Sequence, residues 1–115
     1  MKRIDKPWGK EEILVHTEKY AVKRITINPG HRMSLQYHEL KEETIYVLVG
    51  TLIVWKSATI SDCKTFLPGD VYHVKPKEIH RFGCPDNVKK CVILECSTTE
   101  LEDVVRLADD YNRDT

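Results

Sequence analysis

Neither sign of charge is in excess in this chain of 115 residues: 18 Lys plus Arg stand against 18 Asp plus Glu. A dedicated nucleic-acid binder normally carries a basic surplus, so that class is excluded, while a local basic pocket for a phosphorylated small molecule is not. No apolar run is long enough to span a bilayer, since Ile45 to Trp55 is interrupted by Gly50 and Thr51. The charged start Met1-Lys2-Arg3-Ile4-Asp5-Lys6 leads into no apolar segment. A signal peptide is therefore not expected, no membrane is implied, and the cytoplasm is the expected compartment. There is no Gly-rich phosphate loop, so a nucleotide would need another mode of binding. Cys63, Cys84, Cys91 and Cys96 form no Cys-x-x-Cys pair and read as free thiols with packing roles. No internal repeat and no low-complexity segment is found, and the length suits a single domain over residues 1–115.

What is present is β pattern almost throughout. Glu12 to His16 reads as a strand. Tyr20 to Asn28 alternates strictly, with Ala21, Lys23, Ile25 and Ile27 on one face and Val22, Arg24 and Thr26 on the other. Pro29-Gly30 breaks the run. Further strands are expected over Arg32–His38, Thr44–Val49, Thr51–Trp55, Thr65–Leu67, Val71–Val74, Ile79–Phe82 and Val88–Cys96. Many short strands between turn residues point to a sandwich or barrel. Only the tail differs: Glu100 to Arg106 is expected as a short helix, with Thr98 or Thr99 as its cap.

The chemistry concentrates in two places. Residues two apart on a strand share a face, so Gln36 and His38 point together. Glu43 opens the following strand and can return to the same space, and His80 lies far along the chain in Glu78-Ile79-His80-Arg81-Phe82. Two imidazoles, a carboxylate and an amide oxygen suit a divalent ion: Zn, Mn, Fe, Co or Ni. His16, His31 and His73 are taken as non-ligands. Trp8 and Trp55 are taken as packing residues.

These residues carry a resemblance to the cupin superfamily. Its first motif runs Gly, five residues, His-x-His, a short gap, Glu, six residues, Gly. Here Gly30, Gln36-Tyr37-His38, Glu43 and Gly50 keep every gap, with Gln36 in place of the first His. The second motif survives through Gly69 and His80, with Lys75, Lys77 and Cys84 in place of its Pro, Gly and Asn. More specifically, the chain resembles the C-terminal cupin domain of type II mannose-6-phosphate isomerases, in which Gln is the usual residue at that position. The shared segments are Pro7-Trp8-Gly9, Val22-Lys23-Arg24-Ile25, Met33-Ser34-Leu35-Gln36-Tyr37-His38, His80-Arg81, Asp103-Val104-Val105-Arg106 and Asp109-Asp110-Tyr111-Asn112-Arg113. The family's His-His-His is replaced by His38-Glu39-Leu40.

The resemblance implies an all-β, single-domain cupin (a double-stranded β-helix or jelly-roll barrel) ending in a short helix or tail. It also implies a metal held by Gln36, His38, Glu43 and His80, and interconversion of mannose 6-phosphate and fructose 6-phosphate. In such an isomerase a base must carry a proton between C1 and C2. Lys23 is the candidate if its strand face is the lumen, where burial would lower its pKa; the other reading has it reaching the rim. Arg24 would then point outwards, or the two would exchange roles. Arg24, Arg32 and Arg81 are candidate phosphate contacts, because the guanidinium fork donates two bonds at once, and Arg113 matches a terminal Arg that closes over the substrate. Two other functions stay open: a cupin that binds a sugar or small acid without turnover, and an iron-dependent dioxygenase, against which Gln36 counts. A homodimer is expected, paired or exchanged through the strand Glu11–His16.

Overall fold

The computed structural model describes residues 1–113. Among these residues eleven strands form two facing layers. They are β1 (Lys2–Lys6), β2 (Gly9–His16), β3 (Ala21–Ile27), β4 (Leu35–Tyr37), β5 (Glu43–Val49), β6 (Leu52–Trp55), β7 (Cys63–Phe66), β8 (Val71–Val74), β9 (Arg81–Gly83), β10 (Cys91–Ser97) and β11 (Val105–Ala108). One layer is a six-stranded sheet in the order β1-β2-β3-β10-β5-β8; the other joins β11-β4 to β7-β6-β9. The join is made by bridges between Arg32 and Gly83 and between Gln36 and His80. All named pairings are antiparallel. The expected all-β barrel is what forms.

The alternation in β3 does the work predicted for it. Ala21, Lys23, Ile25 and Ile27 are buried while Val22, Arg24 and Thr26 are half-exposed. β10 repeats the pattern, with Cys91, Ile93, Glu95 and Ser97 inward. Between the layers lies a core that includes Trp8, Ile25, Ile45, Leu52, Phe82 and Ile93. The cysteines are unpaired; Cys84 and Cys91 pack inside, and Cys63 and Cys96 face out.

Three expectations need correction. The segment 100–106 forms no helix: Thr98 Oγ1 donates to Glu100 and accepts from the amide of Glu42 instead of capping, and Val105 onwards pairs with β4 as β11. The free edge of β4 and the β-branched pair Val104-Val105 outweigh a weak helical preference. The extent expected for Arg32–His38 shrinks to Leu35–Tyr37. Finally, Glu11–His16 is not a sheet edge, because β1 pairs along it from Lys2↔Ile13 to Lys6↔Gly9. β1 escaped notice because Lys-Arg-Ile-Asp-Lys is charged, as short protective edge strands often are.

Two motif glycines have a steric reason. Gly50 has φ +77° and a Cβ there would lie 2.0 Å from the Lys90 carbonyl oxygen; at Gly9 (φ +154°) it would lie 1.9 Å from that of Thr26. Gly69 also has positive φ, +93°, but nothing lies within 4 Å of its added Cβ. Gly50→Ala should therefore cost the ~1–2 kcal/mol of a left-handed L-residue plus the displacement of a backbone strand, whereas Gly69→Ala should cost only the first. Denaturant unfolding of both variants, with a clearly larger loss for Gly50→Ala, is the expected outcome; equal losses would contradict the clash.

Candidate metal centre

β4, β5 and the residue before β9 bring His38, Glu43 and His80 together, each 1–2% exposed. One potential ligand atom from each lies within 4.8 Å of the others. The imidazoles are oriented from behind: His38 Nδ1 lies 2.5 Å from the Asp103 carbonyl oxygen, and His80 Nδ1 lies 3.0 Å from that of Glu78. A ring nitrogen facing a carbonyl must carry the hydrogen, so each Nε2 presents a lone pair to the interior. His38 Nε2 sits 2.8 Å and His80 Nε2 3.9 Å from Glu43 Oε1. Neither nitrogen, and neither Glu43 oxygen, has a hydrogen-bond partner. Buried lone pairs converging without a donor are unfavourable by themselves. A cation among them would satisfy all of them, so the residues fit a divalent metal.

Gln36 stands beside this group. Its backbone exchanges hydrogen bonds of 3.0 and 2.9 Å with His80, and its side-chain Oε1 accepts one of 2.6 Å from Ser34. An amide oxygen has two lone pairs, so one remains for a metal.

Behind the centre runs a ladder of buried charges. Glu11 Oε1 meets Lys23 Nζ at 3.0 Å, Lys23 lies 4.0 Å from Glu95 Oε2, Glu95 meets Lys41 Nζ at 3.0 Å, and Lys41 lies 3.8 Å from Glu43 Oε1. Burial alone would raise the Glu43 carboxyl, but His38, Lys41 and their neighbours hold it well below the usual carboxylate range. Glu95 is pushed up to about 7, first by burial and then by the charge of Glu43, with Lys41 and Lys23 opposing. Burial lowers His80, keeping it neutral at physiological pH.

A cavity of about 80 Å³ opens against Gln36 and His38 and is also walled by Lys23, Lys41, Glu95 and Arg106. Lys23 is thus on the lumen face, the first of its two readings. Its Nζ, however, is held between the carboxylates of Glu11 and Glu95. Arg113 lines the cavity too, with Asp109 receiving its guanidinium at 2.8 and 3.0 Å. The other three candidate arginines, Arg24, Arg32 and Arg81, are not in the wall of this cavity. Arg24 leaves the opposite face of β3 and forks onto Glu12, both bonds at 3.0 Å. Arg32 forks onto Asp110 at 2.6 and 3.0 Å and lies over Trp55. Arg81 is buried and ties Met33 to Ala108 through their carbonyl oxygens. His16, His31 and His73 bond Thr99, Tyr111 and Thr44 respectively, away from the centre.

Sequence reasoning gave no role to Lys41 or Glu95, and named Asp103 and Arg106 only as part of a shared segment. Glu95 had a readable signal, a carboxylate at an inward position of an otherwise apolar strand. Lys41 had none, because its partner Glu95 lies 54 residues away.

Residues 1–109 match the family described as Mannose-6-phosphate isomerase C-terminal. The chain belongs to that family. Among curated relatives it is 32% identical over 114 residues to a mannose-1-phosphate guanylyltransferase of Escherichia coli K12, covering 97% of this chain and 23% of the relative. It is likewise 32% identical to the alginate biosynthesis protein AlgA of Pseudomonas aeruginosa, covering 96% and 23%. The chain therefore spans about a quarter of the length of these relatives. Among solved structures, KdgF from Halomonas sp. superposes with TM-score 0.75 at 16% identity, covering 89% of this chain and 91% of that one. An RmlC-like cupin from Shewanella frigidimarina gives 0.74 at 20%, covering 88% and 86%. At such identities these two establish the cupin fold alone.

In this domain Asp103 ties the loop at residues 39–41 and His38 to the segment that leads into β11. Its carboxylate accepts from the amides of Glu39, Leu40 and Lys41 at 3.0, 2.7 and 2.9 Å, while its carbonyl orients His38. Those amides hold its carboxyl below the usual value against the opposing effect of burial. A depressed carboxyl stabilises the fold above its unfolded value and loses that contribution as pH falls through the folded one. Asp103→Ala should cost roughly 1–3 kcal/mol at neutral pH by leaving amides unpaired. The difference from wild type should shrink as pH drops below the ordinary Asp range; urea melts at pH 7 and pH 3 measure both, and a pH-independent difference would refute the account.

Proposed function

We propose that this domain is a metal-dependent sugar-phosphate isomerase that interconverts mannose 6-phosphate and fructose 6-phosphate. The observation that carries the reading is the convergence of two inward Nε2 lone pairs and an unsatisfied carboxylate beside a cavity whose wall includes His38, Gln36 and several cationic side chains. His38, Glu43 and His80, with Gln36, would hold the ion: Zn, Mn, Co, Ni or Fe. Bound there, it would supply Lewis acidity to the oxygens of an open-chain sugar. Relatives named for mannose-1-phosphate guanylyltransfer act on the neighbouring mannose phosphate, which supports the substrate class.

The chain's own residues supply the rest. Glu95 walls the cavity, and a carboxyl titrating at about 7 can accept a proton from C2 on one of its oxygens and return it to C1 at neutral pH, while the C2 hydroxyl proton passes to the C1 oxygen. Lys23 and Lys41 hold that carboxylate in place, so we assign Lys23 to positioning and Glu95 to proton transfer. Arg113 stands at the cavity wall as a substrate contact. We further read the domain as cytoplasmic, in keeping with its free thiols, and as a homodimer, which elution as a monomer at micromolar concentration would overturn.

A sugar-binding module without turnover is favoured by one feature: Lys23 and Lys41, the lysines nearest the centre, are already tied to carboxylates. Loading the protein separately with Zn, Mn, Co, Ni and Fe(II) and following fructose 6-phosphate by a coupled assay separates the two. Turnover that requires metal, falls at least ~100-fold in His80→Ala and falls comparably in Glu95→Gln is expected. Metal binding that depends on His38 and His80 without turnover under any metal would leave only the binding module.

A further inference from the structure

One turn touches both candidate imidazole ligands. Residues 75–78 lead from β8 towards His80, and within them Lys77 donates its amide to the His38 carbonyl oxygen at 2.6 Å. Its neighbour Glu78 accepts from His80 Nδ1 on its own carbonyl oxygen at 3.0 Å. The backbone of this turn therefore sets where one ligand's main chain lies and where the other ligand's ring points.

The turn is strained and needs to be held. Lys77 has φ +68°, a left-handed conformation that costs an L-residue about 1–2 kcal/mol, and it stands where the cupin motif has Gly. Glu78 does the holding. Its amide donates to the Lys75 carbonyl oxygen at 3.1 Å, and its carboxylate accepts from the Lys75 amide and from the Tyr72 hydroxyl, each at 3.1 Å. Tyr72 is a firm anchor. It lies in β8 opposite Ile45 of β5, and its ring packs edge-on against Phe66 and Phe82, with centroids 5.4 and 6.2 Å away. Burial, and then the charge of Glu78, push its hydroxyl up to about 12, so it remains a donor at neutral pH. The arrangement mirrors the one behind His38, where Asp103 fixes a loop with its carboxylate and sets the ring with its carbonyl oxygen.

We propose that Tyr72 and Glu78 are positioning residues for the metal centre: the Tyr72 hydroxyl locks the Glu78 carboxylate, the carboxylate locks the turn, and the Glu78 carbonyl oxygen holds the His80 ring with Nε2 facing the ion. Tyr72 acts from outside the centre, since it lines a different cavity from the one at Gln36 and His38. The proposal rests on reading His38, Glu43 and His80 as a metal site, and on neither turnover nor substrate.

The test is cobalt(II) titration of the full chain, reading the visible absorption of the bound ion and its affinity against a competing chelator. The proteins are wild type, His80→Ala, Tyr72→Phe, Glu78→Ala and the Tyr72→Phe/Glu78→Ala double variant. Wild type should bind the ion and His80→Ala should lose most of that affinity. Tyr72→Phe keeps the ring and its packing, so it should fold, yet it should weaken cobalt binding about tenfold and shift the absorption band. Glu78→Ala should lose at least as much, and adding Tyr72→Phe to it should change nothing further, because the hydroxyl acts only through the carboxylate. A contact that merely stabilised the fold would lower the melting temperature of the metal-free protein without moving the band. Unchanged affinity and spectrum in Tyr72→Phe and Glu78→Ala, or additive losses in the double variant, would overturn the positioning and leave the centre in place. Cobalt binding indifferent to His80→Ala would overturn the centre and the proposal together.

Discussion

The ionised carboxylate of Glu43, buried at the heart of the barrel, is the constraint on which the rest depends. Removing a lone charge from water costs several kcal/mol unless partners compensate it. The compensation here is extended rather than local. Lys41 approaches Glu43, Glu95 answers Lys41, Lys23 answers Glu95, and Glu11 closes the ladder near the surface. Four strands and a loop are thereby fixed relative to one another by electrostatics as well as packing. The two imidazoles add no opposing charge while neutral, and their lone pairs sharpen the need for a cation.

The chain end completes this arrangement. Asp103 uses its carboxylate to staple residues 39–41 and its carbonyl to set the His38 tautomer. Two residues later the chain becomes β11 and pairs with β4, so that one segment orients a ligand, fixes the loop bearing Lys41 and covers an exposed strand edge. The tail beyond is held by its own ion pairs, Arg32 with Asp110 and Arg113 with Asp109. A tail anchored in so many ways is part of the site rather than an appendage to it.

How much of this was legible follows from the range of the interactions. Period-2 alternation is local, so β3 and its inward Lys23 could be read directly. The spacing of Gly30, Gln36, His38, Glu43 and Gly50 is local too, and its resemblance to the cupin pattern brought in His80. β1 and β11 were not legible, because a charged edge strand lacks alternation and because a helical-looking segment was captured by the edge of β4. The partners of the arginines were hidden for the same reason: Asp110 and Glu12 engage Arg32 and Arg24 across distances in sequence that no local pattern records. Glu95 is the instructive miss, since a carboxylate on the inward face of an apolar strand is a local anomaly and should have prompted a search for its partner.

Charge balance along the ladder bears on what the cavity can receive. With Glu11, Glu43 and Glu95 ionised against Lys23 and Lys41, the five side chains leave one negative charge in a buried site. A divalent ion among His38, Glu43 and His80 would turn that deficit into one positive charge, and Gln36, unlike a second carboxylate, would leave the surplus intact. Such a surplus in a low-dielectric cavity attracts an anion far more strongly than it would in water. The glutamine is then more than a tolerated departure from histidine. As a neutral oxygen donor to such an ion it would keep the centre electropositive without adding an imidazole that protonation could remove.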